Sequence, residues 1–132
     1  MAYATAFLRD PAATYRHVDA VGRTATADAA GLVQVLYEEC ISALRAAAWA
    51  AQHGKLGTKS ERVTRATAIL FALEAGLDFD RGGDVSAALA RVYGGVRRQV
   101  VSASLGTDAA PFHAAAATLD DIASAWRTAR AA

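Results

Sequence analysis

Two aspartates, Asp78 and Asp80, are the residues whose spacing most resembles a metal site. A calcium-binding loop of the EF-hand kind places oxygen ligands at alternate positions and closes on a glutamate. That pattern requires an oxygen ligand at Gly82 and a glutamate at Leu89, and neither residue supplies one. We therefore interpret these aspartates as helix-capping residues, because a carboxylate is stabilised beside the free N–H groups at a helix start.

The other residues with catalytic or metal-binding chemistry are isolated from one another. Carboxylate metal sites in helical bundles use Glu-x-x-His pairs, and the sequence contains none. Cys40, the single cysteine, falls beside an apolar helical stripe, where a packed thiol is expected rather than a reactive one. The three histidines fall in three different predicted elements: His17, His53 and His113. The sequence therefore predicts a protein that is not an enzyme and uses no metal or cofactor.

The composition is typical of a small helical domain. Of the 132 residues, 54% are hydrophobic, and many of these are alanine, the best helix former. The 14 Lys and Arg residues against 13 Asp and Glu give a net charge of +1, which predicts binding neither to nucleic acid nor to a membrane surface. No apolar run approaches the ~18 residues of a membrane span, and the N-terminus lacks the features of a secretory signal. We expect a single domain in the cytoplasm, without membrane insertion.

Three arginines, Arg91, Arg97 and Arg98, follow one another along a predicted helix. They could bind an anion, but the charged and solvated face of a helix accounts for them without a ligand.

Apolar residues recur at three- and four-residue steps and predict four helices. The first helix has an expected N-cap at Asp28 and an expected stop at Gly54. The second is expected to begin at Thr58 or Ser60, and the third at Asp84 after a glycine pair. A fourth helix follows a polar segment that contains glycine.

Short connections make consecutive helices antiparallel neighbours. We therefore predict an all-α fold, an antiparallel up-down-up-down four-helix bundle that occupies residues 28–132. Residues 1–27 have only scattered large apolar groups and are predicted to form an N-terminal arm with at most one short helix.

Two of the predicted helices carry more apolar residues than one bundle stripe requires. In the first helix, Val33, Tyr37 and Ile41 form a row at every fourth position beside the main stripe. In the second helix, Ile69 and Phe71 add to the seam. A surplus row indicates either a broad core or a groove that receives another helix. The periodicity alone favours the broad core.

Several short motifs occur in an order that resembles the FliS family of flagellin-specific export chaperones. Leu36-Tyr37-Glu38 resembles the family's Leu-Tyr-Asp motif, and residues 77–84 resemble its Leu-Asp-x-x-x-Gly-Gly-Glu turn. Further matching positions lie on the third helix, near the C-terminus, in the arm and before the first helix: Leu89, Tyr93, Arg97, Arg98, Ala125-Trp126, Tyr15 and Thr26-Ala27-Asp28. The resemblance covers residues 15–127.

The chain departs from the family pattern at Ala12, Ala29 and Glu39, and it carries Gly94-Gly95 within the third helix. Two glycines inside a helix are expected to weaken it by about 2 kcal/mol. The change at Ala12 concerns contacts made by the arm, whereas the other changes concern local stability.

The resemblance implies a cytoplasmic helical bundle that binds the disordered C-terminal segment of flagellin. Covering that segment prevents premature polymerisation, and the complex is delivered to the cytoplasmic domain of the export gate FlhA. The family uses no cofactor and catalyses no covalent reaction. The resemblance leaves open whether the free protein is a monomer or a weak dimer. The alternative function is a helical-bundle adaptor or scaffold for a different protein partner.

We expect the receiving surface to combine the surplus apolar row with residues of the arm. In the free protein the arm could shield that row and be displaced by the flagellin segment, or Tyr15 could instead contact the export gate. The expected partner-binding residues are Tyr15, Val18, Val21, Val33, Tyr37, Ile41 and Ile69.

Overall fold

A computed structural model describes residues 29–131, which form four helices. The helices are α1 (Ala29–Gln52), α2 (Leu56–Ala75), α3 (Phe79–Ala103) and α4 (Ala110–Ala131). Each helix packs against the next one along the chain, and α4 also packs against α1. This pattern of neighbours, together with the short connections, is the one expected for an up-down-up-down bundle. The described residues contain no strand, so the predicted all-α fold is confirmed. The predicted arm and the Asp28 cap lie outside the described residues.

The turn between α1 and α2 explains an error in the predicted start of α2. Gly54 ends α1 as predicted, with a φ of 65° that favours glycine. The Lys55 N–H donates to the Ala50 carbonyl at 2.9 Å, which is the long hydrogen bond of a Schellman motif. Because this motif reverses the chain at once, α2 begins at Leu56 rather than at Thr58 or Ser60.

A capping aspartate and a kink form the start of α3. The Asp78 carboxylate accepts a hydrogen bond from the Arg81 N–H at 3.0 Å, which confirms the helix-capping interpretation of this residue. Gly83 interrupts the helix with a φ of 50° and a ψ of −122°, a conformation suited to glycine. The helix therefore begins at Phe79, about one turn before the predicted start at Asp84, and continues after the kink.

Four fully buried aromatic side chains occupy the core: Tyr37, Tyr93, Phe112 and Trp126. The Trp126 indole N–H donates to the Ala30 carbonyl at 3.3 Å, so the end of α4 is joined to the start of α1. Alanines cover much of the buried surface of α1 between residues 43 and 51. Because alanine side chains are small, they allow neighbouring helices to approach α1 closely.

None of the four described helices combines the length and the apolar character needed to cross a membrane.

Candidate partner-binding surface

Cys40 has the environment of a packed thiol. Its side chain is fully buried, and its Sγ lies 3.7 Å from the Ala66 carbonyl oxygen. Burial raises the pKa of the Cys40 thiol far above its ordinary value, so the thiol stays neutral and a poor nucleophile. Between residues 29 and 131, no three His, Cys, Asp or Glu side chains come together in a group that could hold a metal ion.

The predicted apolar row of α1 lies in the bundle core. Val33 and Tyr37 are completely buried, as is Ile69 on α2, and Ile41 is 6% exposed. The Tyr37 hydroxyl lies 2.5 Å from the Tyr93 hydroxyl, so Tyr37 faces α3 across the centre of the bundle. A broad core therefore accounts for these residues, as the periodicity favoured. Their contact with a partner stays a prediction.

The predicted arm residues Tyr15, Val18 and Val21 lie outside the described residues.

Ile41 of the α1 row borders a surface cleft of about 310 Å³ between α1 and α4. Side chains of both charge signs line this cleft: Glu38, Arg45, Asp120 and Arg127. The cleft is therefore polar and does not resemble an apolar groove.

Large apolar side chains are exposed elsewhere on the bundle. Those at least 37% exposed are Trp49, Leu56, Phe71, Phe79, Val85, Val101 and Leu105. Phe71 was predicted to add to the apolar seam of α2, and this prediction is wrong because the residue is 60% exposed. Residues two positions apart on a helix do not share a face. Since Ile69 points into the core, Phe71 points outward.

A groove between α2 and α3 brings part of this exposed apolar surface together. Its volume is about 380 Å³, and we call it the α2–α3 groove. The lining residues are Thr67, Arg97, Arg98, Val101, Ser102 and Leu105. Phe71 stands beside this lining, one helical turn after Thr67.

Helical spacing explains how the groove is built. Arg97 and Val101 are four residues apart on α3, so they lie along one side of that helix. Leu105 follows four residues later, in the turn just after the end of α3. Val101 is 50% exposed and Leu105 is 88% exposed. Apolar side chains collected on an open surface indicate a contact site for another molecule.

Arg97 forms one wall of the groove and is held by two contacts. Its guanidinium forms an ion pair with Glu74 at the end of α2. It also lies 5.9 Å from the centre of the Phe71 ring, within the range of a cation–π contact. These contacts fix Arg97 across the boundary between α2 and α3.

Arg98 lies beside Arg97 in a different environment. A Cβ atom added at Gly94 would lie 3.4 Å from one guanidinium nitrogen of Arg98, and one added at Gly95 would lie 4.0 Å from the other. The guanidinium therefore lies along the surface that these two glycines leave bare. Although two glycines were expected to weaken α3, the helix runs through them without a break.

Val101 and Leu105 were not predicted as binding-surface residues from the sequence. The available signal was the same as in the first helix, a row at every fourth position beside the buried stripe. In the third helix this row lies between a charged face and the core stripe, and those two patterns dominate the sequence there.

Residues 11–132 match the protein family described as "Flagellar protein FliS". The chain is 29% identical over 114 residues to the flagellar secretion chaperone FliS of Salmonella typhimurium. That alignment covers 86% of this chain and 84% of its relative.

Proposed function

Because this chain belongs to the FliS family, we propose that it is a flagellar export chaperone for flagellin. It binds the disordered C-terminal segment of flagellin in the cytoplasm and prevents premature polymerisation. The complex then docks on the cytoplasmic domain of the export gate FlhA. The similarity to a relative named as a flagellar secretion chaperone supports the chaperone role.

The α2–α3 groove is the observation that carries this proposal. A disordered segment that folds on binding presents an amphipathic helix, whose apolar residues dock at spacings of three and four. The groove offers Val101 and Leu105 on one wall, with Phe71 beside it, and all three are at least half exposed. Such a surface can receive an apolar helix stripe without unfolding the chaperone.

We also propose that the arm regulates access to apolar surface. In this proposal Tyr15, Val18 and Val21 cover part of the bundle, and the flagellin segment displaces them. Val33 and Tyr37 have no exposed surface, so their contact with the ligand would also require movement of the core side chains that cover them, such as Tyr93. Deletion of residues 1–20 should then raise the affinity for the flagellin segment. Unchanged or weaker affinity would contradict shielding by the arm.

Calorimetric titration tests the chaperone function directly. A peptide from the C-terminal end of the cognate flagellin is titrated into the full chain at several temperatures. We expect one-to-one binding with a large negative heat-capacity change, the mark of apolar burial. The matched control is the same peptide with its apolar stripe replaced by serine, which should not bind. Failure of the unmodified peptide to bind both the full chain and the arm-deleted chain would contradict the proposal.

A further inference from the structure

The α2–α3 groove has exposed apolar side chains, Val101 and Leu105, and is positively charged at one end. Its charged lining residues are Arg97 and Arg98. Arg97 is paired with Glu74, so the charge of that arginine is largely balanced. In the part of the chain that the structure describes, no acidic side chain forms an ion pair with Arg98. The groove therefore presents one uncompensated positive charge beside its apolar wall.

The position of Arg98 favours a planar anionic group. Its side chain is exposed, and its guanidinium lies over the bare backbone of Gly94 and Gly95 rather than extending into solvent. A guanidinium presents its N–H donors in a fixed fork that matches the two oxygens of a carboxylate. Because the head group already lies along the helix, less side-chain freedom is lost when a carboxylate binds.

The dimensions of the groove define the length of the occupant. The distance along α3 from Arg97 to its last residue, Ala103, is about 9 Å, from six residues at 1.5 Å each. Leu105 extends the groove into the turn that follows. A helical segment of two to three turns therefore spans the groove. Its carboxylate must lie at the Arg98 end, and its apolar residues must follow toward Leu105.

We propose that Arg98 determines which segment the groove accepts, by selecting an amphipathic helix with a Glu or Asp beside its apolar stripe. This inference rests on the proposed chaperone function and adds a charge requirement to it. Arg97 acts differently, because its ion pair with Glu74 and its contact with Phe71 hold the wall of the groove in place.

A charge-swap experiment tests this selection. Two versions of the flagellin C-terminal peptide differ only in the residues beside the apolar stripe, which are acidic in one and lysine in the other. We expect the unmodified chaperone to bind the acidic version about tenfold more tightly. The Arg98→Glu variant should reverse this preference, and Arg98→Gln should remove most of it. Higher salt should reduce the preference of the unmodified protein.

Arg62→Glu is the matched control for the same change in net charge. Arg62 is exposed and lies nine positions before Phe71, so it projects from the opposite side of α2. This variant should keep the preference of the unmodified protein within twofold. Circular dichroism checks that each variant keeps its helical fold.

The outcomes separate the two proposals. If the unmodified chaperone binds both peptides equally, or if Arg98→Glu keeps the acidic preference, the role of Arg98 is overturned while the chaperone function stands. An equal loss in Arg62→Glu and Arg98→Glu also overturns that role, because a general charge effect then explains it. If neither peptide binds the unmodified protein, the proposed function itself fails.

Discussion

Two rows of residues in this bundle have the same spacing but differ in burial. The first row lies on α1 and consists of Val33, Tyr37 and Ile41. The second row, called the α3 row, begins on α3 with Arg97 and Val101 and ends at Leu105 in the turn after that helix. The α1 row is almost completely buried, whereas Leu105 at the end of the α3 row is 88% exposed. Spacing at every fourth residue therefore identifies the side chains that share a face. It does not reveal whether another helix covers that face.

The surroundings of the two helices cause this difference. α1 packs against α2 on one side and α4 on the other, and Tyr37 reaches Tyr93 of α3 across the centre. As a result, 12 of its 24 residues are buried. Only six of the 25 residues of α3 are buried, including Leu89 and Val96. The outer side of α3 beside α2 therefore stays exposed, as Val101 shows.

The largest expected change in stability comes from shortening a buried side chain of the α1 row. Tyr37→Ala should lower the free energy of unfolding by about 3–5 kcal/mol, because it empties a large buried volume and removes a hydroxyl partner of Tyr93. Urea denaturation measures this loss. Tyr37→Phe is the control, since it keeps the ring and should cost only about 1 kcal/mol. A Tyr37→Ala variant as stable as the original protein would show that the row is not part of the core.

A substitution on α3 is expected to raise the free energy of unfolding by a smaller amount. Gly95→Ala should raise the free energy of unfolding by about 0.5–1 kcal/mol, because alanine restricts the unfolded chain and favours the helix. The new Cβ would meet only the guanidinium end of Arg98, at an ordinary contact distance of 4.0 Å. Thermal unfolding followed by circular dichroism checks this gain. A lower melting temperature would mean that the helix requires a bare backbone at this position.

The smallest change in stability is expected at the exposed end of the α3 row. Leu105→Ser should alter the free energy of unfolding by less than about 0.5 kcal/mol, because the side chain already lies in solvent. The same change should weaken binding of the flagellin segment about fivefold, since it removes an apolar contact. Leu56→Ser is the matched control, because Leu56 is 63% exposed and does not line the groove. If both substitutions weaken binding equally, the α2–α3 groove is not the site that binds the flagellin segment.

Local chemistry made much of the fold predictable. Gly54 and Asp78 were identified as a helix stop and a helix cap from residue type and position alone, because both roles depend on a few neighbouring residues. The start of α2 was misplaced, since the hydrogen bond from Lys55 to Ala50 reverses the chain earlier than the composition indicates.

The binding surface was harder to predict, because it depends on long-range packing. Tyr37 and Tyr93 are 56 residues apart in sequence, and no local pattern reveals that their hydroxyl groups meet. Phe71 and Ile69 were assigned to the same seam, although two residues separated by 200° around a helix cannot both face the core. Only the packed structure shows which of the two is covered.

An NMR titration tests most directly whether the α2–α3 groove receives the flagellin segment. Amide shifts of the ¹⁵N-labelled full chain are followed as the C-terminal flagellin peptide is added. We expect the largest changes at residues 67–71 of α2 and at residues 97–105, which span the end of α3 and the turn after it, with smaller changes on α1. Changes confined to residues 33–41, with none at 97–105, would contradict the account and place the partner on the α1 row instead.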